Sequence, residues 1–338
     1  MRFTEALRGQ AIACTSLGSP FMGQLMTLLA DRLTPDHCAV AAKLFDWPGD
    51  VSAGGASLPL RIGAGLHALK LDGHPDLSAI YPPHATPEDT LWATISDVLR
   101  SEEPFLLDWI DSPPQTNEVR RAAIFRATGQ WLAHRYGLPL GLLELGASAG
   151  INLNWDRYAL TAGTTTFGPD DAVLTLTPQW TGPLPPAAEP TIAHRRGVDL
   201  LPVSPKTDRL RLLAYLWPDQ PQRLTLTDVA LALPAAPVDR GCAADWLDAL
   251  PPQPANTCRL IQHSVAWQYF PQDVQARAAA TIARLGAAAT DATPLAHLGM
   301  EADGGRGAAV TLTTWPGGEP RQAGRADFHG RWIDWQLA

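Results

Sequence analysis

Leu142-Leu143-Glu144-Leu145-Gly146-Ala147-Ser148-Ala149-Gly150-Ile151-Asn152-Leu153 is an apolar run closed by a carboxylate and a glycine-bounded turn. The pattern reads as strand, tight turn, helix. Leu140, Leu142, Leu143 and Leu145 suit a strand buried on both faces of a parallel sheet. Gly146 and Gly150 permit backbone angles and close approaches that a Cβ would obstruct. In α/β proteins such a turn lies at the carboxyl end of its strand, where ligands bind.

Downstream of this stretch, strands and helices alternate, which predicts a mostly parallel sheet with right-handed crossovers over residues 138–338. Strands are expected at Leu140–Leu145, Ile192–Leu200, Val238–Gly241, Arg259–Val265 and Pro294–Met300. Helices are expected at Ala149–Tyr158, Asp208–Trp217, Pro221–Leu233, around Ala244–Leu247 and at Asp273–Ala288. Ala172–Thr177 alternates with period two as an edge strand or hairpin arm, and Thr181–Pro190 reads as a loop. Ala308–Trp315 is expected to pair with a last strand near His329–Trp335 across Gly317-Gly318, closing the sheet with an antiparallel hairpin.

Upstream, residues 1–137 read as an all-helical domain. Apolar residues recur at three and four in Phe3–Leu17, Pro20–Leu33, Pro35–Phe45, Leu58–Lys70, Pro87–Leu107 and Asn117–Tyr136. Thr34-Pro35 and Thr86-Pro87 place a cap residue before a proline at the first helical position. The helical domain is expected to cap the ligand-bearing edge of the sheet.

The 338 residues with 46% hydrophobic content can fill a large core. A formal charge of −8 with only three lysines argues against a broad electrostatic grip on nucleic acid or an anionic membrane. The chain opens on Met1-Arg2-Phe3-Thr4-Glu5, an amphipathic helix pattern and not a secretory leader, and no apolar run has the length of a membrane span, so a cytoplasmic protein is expected. Cys14, Cys38, Cys242 and Cys258 form no CxxC pattern and are read as reduced thiols. No metal is assigned, since no His/Cys/Asp cluster has ligand spacing.

The turn discriminates among chemistries. A phosphate-gripping loop needs a Lys after its second glycine, and none follows; a dinucleotide fingerprint needs Gly-x-Gly-x-x-Gly, and only Gly-x-x-x-Gly is present. Two readings remain. In the first, an S-adenosylmethionine-dependent methyltransferase, Glu144 hydrogen-bonds the amino group of the cofactor, and backbone from Gly146 through Ala147 and Ser148 to Gly150 lines its methionine and adenosine parts. Asp199, at the end of a later strand, suits the ribose hydroxyls, and Asp245 the adenine. His263 and Ser264 lie at a strand tip where the transferred methyl would be faced, and the polar cluster with Asn117 and Glu118 leads directly into the central strand. In the second, Gly146-x-Ser148-x-Gly150 is the nucleophile elbow of an α/β-hydrolase, with Asp199 or Asp245 and then His263 or His329 keeping the chain order of a triad. Against the hydrolase, the helical first 137 residues contain no oxyanion loop of His-Gly-Gly type.

Six ordered blocks carry a family resemblance: Gln115-Thr116-Asn117-Glu118-Val119, Glu144 to Gly150, Arg196-Gly197-Val198-Asp199-Leu200, Trp217-Pro218-Asp219-Gln220, Gln262-His263-Ser264-Val265 and His329-Gly330-Arg331-Trp332. Together they resemble the bacterial domain of unknown function 2332 across nearly the full chain. The resemblance implies a Rossmann-like core similar to class I methyltransferases. Around Gly241-Cys242-Ala243-Ala244-Asp245 the family pattern reads Gly-Asp-Ala, so Cys242 stands where a carboxylate is expected. The expectation that follows is methyl transfer from S-adenosylmethionine to a small molecule, with Asn117, Glu118 and His263 as polar contacts of the acceptor. A binding protein that kept the fold and lost the transfer is the alternative, and Cys242 and Ser148 favour it.

Overall fold

The computed structural model describes residues 2–338, which form two compact units. One takes the chain up to Thr116 together with Lys206–Thr225; the other takes Asn117–Pro205 and Leu226–Ala338.

The first unit is helical: α1 (Phe3–Ser16), α2 (Pro20–Arg32), α3 (Ala39–Phe45), α4 (Leu58–Leu71), α5 (Pro75–Ile80), α6 (Glu88–Ser101) and α7 (Glu103–Asp111). Helix α4 is buried almost all round, and its Leu58, Ile62 and Leu66 meet Leu25 and Leu29 of α2 and Leu99 of α6 in one core. Each such leucine, fully withdrawn from water, contributes about 1.5–3 kcal/mol. A single helix was expected over Pro87–Leu107. Two form, because Pro104 has no amide to donate and is placed in the first turn of a new helix. The block Trp217-Pro218-Asp219-Gln220 is accounted for here. Asp219 accepts from the Ser19 hydroxyl at 2.5 Å and the Phe21 amide at 3.0 Å, and Gln220 donates to the Leu17 carbonyl at 3.2 Å, which fixes the turn between α1 and α2.

The second unit begins with α8 (Ala122–Tyr136), while α9 (Arg209–Ala214) belongs to the first. Gly137, left-handed at φ 63, ends α8 and turns the chain into β1 (Leu140–Leu145). The remaining strands are β2 (Tyr158–Ala162), β3 (Thr165–Phe167), β4 (Leu174–Leu176), β5 (Gln179–Thr181), β6 (Ile192–Asp199), β7 (Val238–Arg240), β8 (Cys258–Ser264), β9 (Leu295–Ala302), β10 (Ala308–Trp315), β11 (Pro320–Ala326) and β12 (Trp332–Trp335). Helices α10 (Pro221–Leu231), which belongs to this unit from Leu226 onward, α11 (Ala243–Asp248) and α12 (Gln272–Ala287) intervene. Nine strands make one sheet in the order β5-β12-β11-β10-β9-β8-β1-β6-β7. From β7 to β9 neighbours run parallel; β10, β11 and β12 continue antiparallel. The unit is thus α/β with a mostly parallel centre and an antiparallel C-terminal part.

Two expectations are corrected. The turn after β1 is followed by a short 3₁₀ stretch, Ile151–Arg157, and not by an α-helix; the chain then enters a small separate sheet of order β3-β2-β4. Asn152, Asn154 and Asp156 compete for backbone hydrogen bonds and disfavour a continuing helix, and Asn154 leaves helical angles at φ −97, ψ 16. The last strand pairs with β11, not with β10. Strand β11 escaped the sequence reading because it opens on a proline and is largely polar, with Arg321, Gln322 and Arg325.

Strand alternation sorts the side chains of the central sheet. Leu143, Leu145, Ile261, Val198 and Leu295 face α11 and α12, with Ala244, Leu247, Ala278 and Ile282 packed on them. Leu142 and Glu144, offset by one residue, face the opposite side.

Candidate functional site

The sheet order reverses at β1: β6 and β7 extend from one side of it, β8 and β9 from the other. The chain leaves the carboxyl ends of β1 and β8 in connections that diverge to either side of this point, and the gap between them is where open α/β sheets hold ligands. Glu144 and Gln262 occupy it, directly opposite each other in the β1–β8 register.

The turn from Gly146 to Gly150 lies over the end of β6. Gly146 and Ala147 donate their amides to the Val198 carbonyl at 2.9 and 3.1 Å. The Ser148 amide donates to the Asp199 carboxylate at 2.8 Å, and the Ala149 and Ile151 amides donate to the Asn117 side-chain oxygen at 3.2 and 3.4 Å. Left-handed angles at Gly146 (φ 69), Ser148 (φ 51) and Gly150 (φ 69) alternate through it. Gly197 is glycine because the turn rests on it: a Cβ there would lie 2.5 Å from the Ala147 Cβ. Asn117 and the blocks 144–150 and 196–200 are therefore parts of one structure, a turn, its bed and its clasp.

Glu144 is 2% exposed, and the Gln262 amide nitrogen stands 3.3 Å from one of its oxygens. Burial is the largest influence on it; the Gln262 bond and the Arg121 charge oppose burial, the Asp199 charge adds to it, and the carboxyl is pushed up to about 8. Near pH 7 it is mostly the neutral acid. The Gln262 side-chain oxygen, also buried, has no partner among the described residues. Buried polar atoms in native proteins are nearly always satisfied, and each exception calls for an explanation.

Asn117 and Asp199 are turn clasps as well as site candidates. Both oxygens of Asp199 are engaged, one by Ser148 and the other by the Leu201 amide at 2.9 Å. Glu118, 1% exposed, accepts from the Arg120 amide and guanidinium at 3.2 Å, and its carbonyl accepts from Asn152 at 3.3 Å. Arg121 donates to the Ser264 and Phe328 carbonyls at 3.2 and 2.8 Å, joining the start of α8 to the end of β8.

His263 belongs to the other face. It shares a side with Ile261, toward α12, whereas Gln262 and Ser264 share the side of Glu144. Its Nδ1 is 2.7 Å from Glu301 and its Nε2 is 3.0 Å from His297 Nε2, so both ring nitrogens are occupied and neither by Ser148. Trp267 stacks on the ring at 5.0 Å. Burial, reinforced by the His263 charge, lowers His297 to about 3. Burial alone would raise Glu301, but His263 and the Ala266 and Trp267 amides hold it below the usual carboxylate range.

Asp245 is not brought to the turn: it lies on α11, its side chain 66% exposed, and meets Arg277 of α12 at 2.6 Å. Cys242 is the residue immediately before α11. In the last block, His329, Gly330 and Arg331 form a loop gathered by Asp327, which accepts from the His329 and Arg331 amides and from the Arg331 guanidinium. Sequence reasoning missed Glu301 and His297, named Arg121 only as part of the polar cluster 115–121, and left Gln262 without a role. For Glu301 and His297 a signal existed: His297, Gly299 and Glu301 alternate on one face of β9, with a glycine between two polar groups.

A family model described as an uncharacterized protein conserved in bacteria (DUF2332) matches residues 4–335, and the chain belongs to that family. No curated protein and no solved structure matches it significantly. Among the described residues, no helix is long and apolar enough to cross a membrane.

Proposed function

We propose that the α/β unit binds S-adenosylmethionine at the carboxyl ends of β1, β6 and β8 and transfers its methyl group to a small molecule. One observation carries the reading: a fully buried carboxyl, Glu144, stands at the point where the strand order reverses, two residues before a glycine turn, with Gln262 as its hydrogen-bond partner. The strand order β7-β6-β1-β8-β9 suits a Rossmann-like, class I methyltransferase-like core. In this reading Glu144 takes the cationic amino group of the cofactor, and the backbone of Gly146, Ala147 and Gly150 lines it, the Cβ space of the two glycines being taken by Ala266 and Val238. Asp199 reaches the ribose while still holding the turn, and Ser264 contacts the cofactor from β8. The cofactor supplies the activated methyl, and the residues of this chain bind, orient and exclude water. Four free thiols fit a reducing cytoplasm.

The acceptor contacts are assigned to Asn117 and Glu118 through the segment they lead. His263, with both nitrogens engaged, favours the second reading: a protein that binds the cofactor and has lost the transfer. Turnover with any acceptor excludes that second reading.

A thermal-shift titration with S-adenosylmethionine and its demethylated product tests the proposal. At about 100 times its dissociation constant a ligand adds roughly 2.7 kcal/mol of stability, and Glu144→Ala is expected to abolish the rise. No shift with either compound up to millimolar concentration rejects the assignment. For esterase chemistry a fluorophosphonate must label Ser148, and the proposed reading expects no label.

A further inference from the structure

The segment that leaves β8 is held by one carboxylate. Glu301 Oε1 accepts from the Ala266 amide at 3.0 Å, the Trp267 amide at 3.1 Å and His263 Nδ1 at 2.7 Å, and Oε2 accepts from the Gln268 amide at 3.4 Å. A reciprocal bond runs from the Ala302 amide to the Gln268 side chain at 3.2 Å. The segment starts at Val265, whose φ of 51 is left-handed, a conformation that a β-branched residue keeps only where its surroundings impose it. It ends against the glycine turn: a Cβ built on Gly146 would lie 2.5 Å from the Ala266 Cβ. Gly299, beneath the His263 ring, leaves the room this arrangement needs, since a Cβ there would be 2.9 Å from the ring.

We infer that Glu301 is a positioning residue for the Gly146–Gly150 turn: through its bonds to residues 266–268 it presses Ala266 onto Gly146 and sets the width of the crevice beside Glu144. A carboxylate suits the task because a single ionised group accepts several amides at once. His263 completes it as a third partner of the same oxygen, with His297 fixing its ring. The inference rests on the proposed function only for the identity of the ligand; the mechanical link from Glu301 to the turn stands by itself.

Hydrogen exchange of the full chain separates the two. In Glu301→Gln, amides 266–268 and the turn amides 146–151 are expected to exchange at least tenfold faster than in the wild type. Ile282→Ala, which weakens from α12 the core under the same sheet and leaves every Glu301 bond in place, serves as the control and leaves the turn amides slow. Should Glu301→Gln fail to fold, Ala266→Gly removes the contact with Gly146 while leaving every Glu301 bond in place, and the turn amides alone should speed up. Glu301→Asp, which keeps the charge, should restore part of the protection. Turn amides that stay as slow as wild type in the folded variants, or that speed up equally in Ile282→Ala, overturn the inference. S-adenosylmethionine affinity is read in the same proteins. If the wild type binds none, the cofactor assignment fails while the exchange result still decides the role of Glu301; if it binds, Glu301→Gln and Ala266→Gly should both weaken it tenfold or more.

Discussion

Glu144 and Glu301 are the same side chain on opposite faces of one sheet, and their surroundings drive them in opposite directions. Glu144, at the end of β1, is fully buried with Gln262 as its hydrogen-bond partner, and its carboxyl rises to about 8. Glu301, at the end of β9, gathers His263 and the backbone amides of the segment after β8 and falls below the ordinary range. Burial acts on both; the number of donors offered decides the outcome. A carboxylate supplied with donors from its own chain is committed to structure. One buried at a strand-order reversal, with a single amide for company among the described residues, still has its bonding capacity to offer, and on this difference rests the proposal that the Glu144 side takes the ligand.

The largest expected effect comes from removing the committed group. Glu301→Ala leaves His263 and the Ala266 and Trp267 amides without their acceptor and should cost about 1–3 kcal/mol for each group left unsatisfied and buried, read as a lower denaturation midpoint in urea. An equal loss in Glu144→Ala would erase the contrast between the two faces.

Glu144→Gln should act with the opposite sign. A buried acid whose folded value is raised from 4.5 to about 8 binds more protons folded than unfolded between those values, so its burial costs stability progressively as pH rises from 4.5 and in full above 8. The substitution removes that cost. Its benefit should be small at pH 5 and grow by up to about 1.4 kcal/mol per pH unit toward pH 8, measured as the melting-temperature difference from wild type across that range. A benefit that is flat with pH contradicts the neutral-acid reading.

The smallest effect belongs to the turn. Ser148 holds a left-handed angle that glycine adopts freely, and Ser148→Gly should gain about 0.5–1 kcal/mol. A loss instead would mean that the Ser148 side chain secures the turn more firmly than its backbone angle strains it.

Much of this architecture is legible in the chain itself. Buried strands announce themselves as apolar runs, so β1, β6, β8 and β9 fall where Leu140–Leu145, Ile192–Leu200, Arg259–Val265 and Pro294–Met300 were expected. The Ala-rich helix at Asp273–Ala288 is α12, shifted by one residue. What misleads is local: the asparagines after Gly150 look compatible with a helix until their side chains take up backbone partners, as Asn152 does with Glu118 and Asn154 with Pro234. The site is less legible for a different reason. Asn117, Ser148 and Asp199 were named as ligand contacts from their positions at element ends, and they do meet, but through the turn they hold together. Glu301 and His297 act through neighbours on another strand, and no spacing along the chain reveals which strands are neighbours.

The cofactor assignment predicts a proton count. Near pH 7 Glu144 is mostly neutral, and it must ionise to hold a cationic amino group, so binding should expel close to one proton. Titration calorimetry with S-adenosylhomocysteine at pH 7, in buffers of different ionisation enthalpy, reads that number directly. Release approaching one proton in the wild type and none in Glu144→Gln is the expected result; binding with no proton released by the wild type contradicts the placement of the amino group at Glu144.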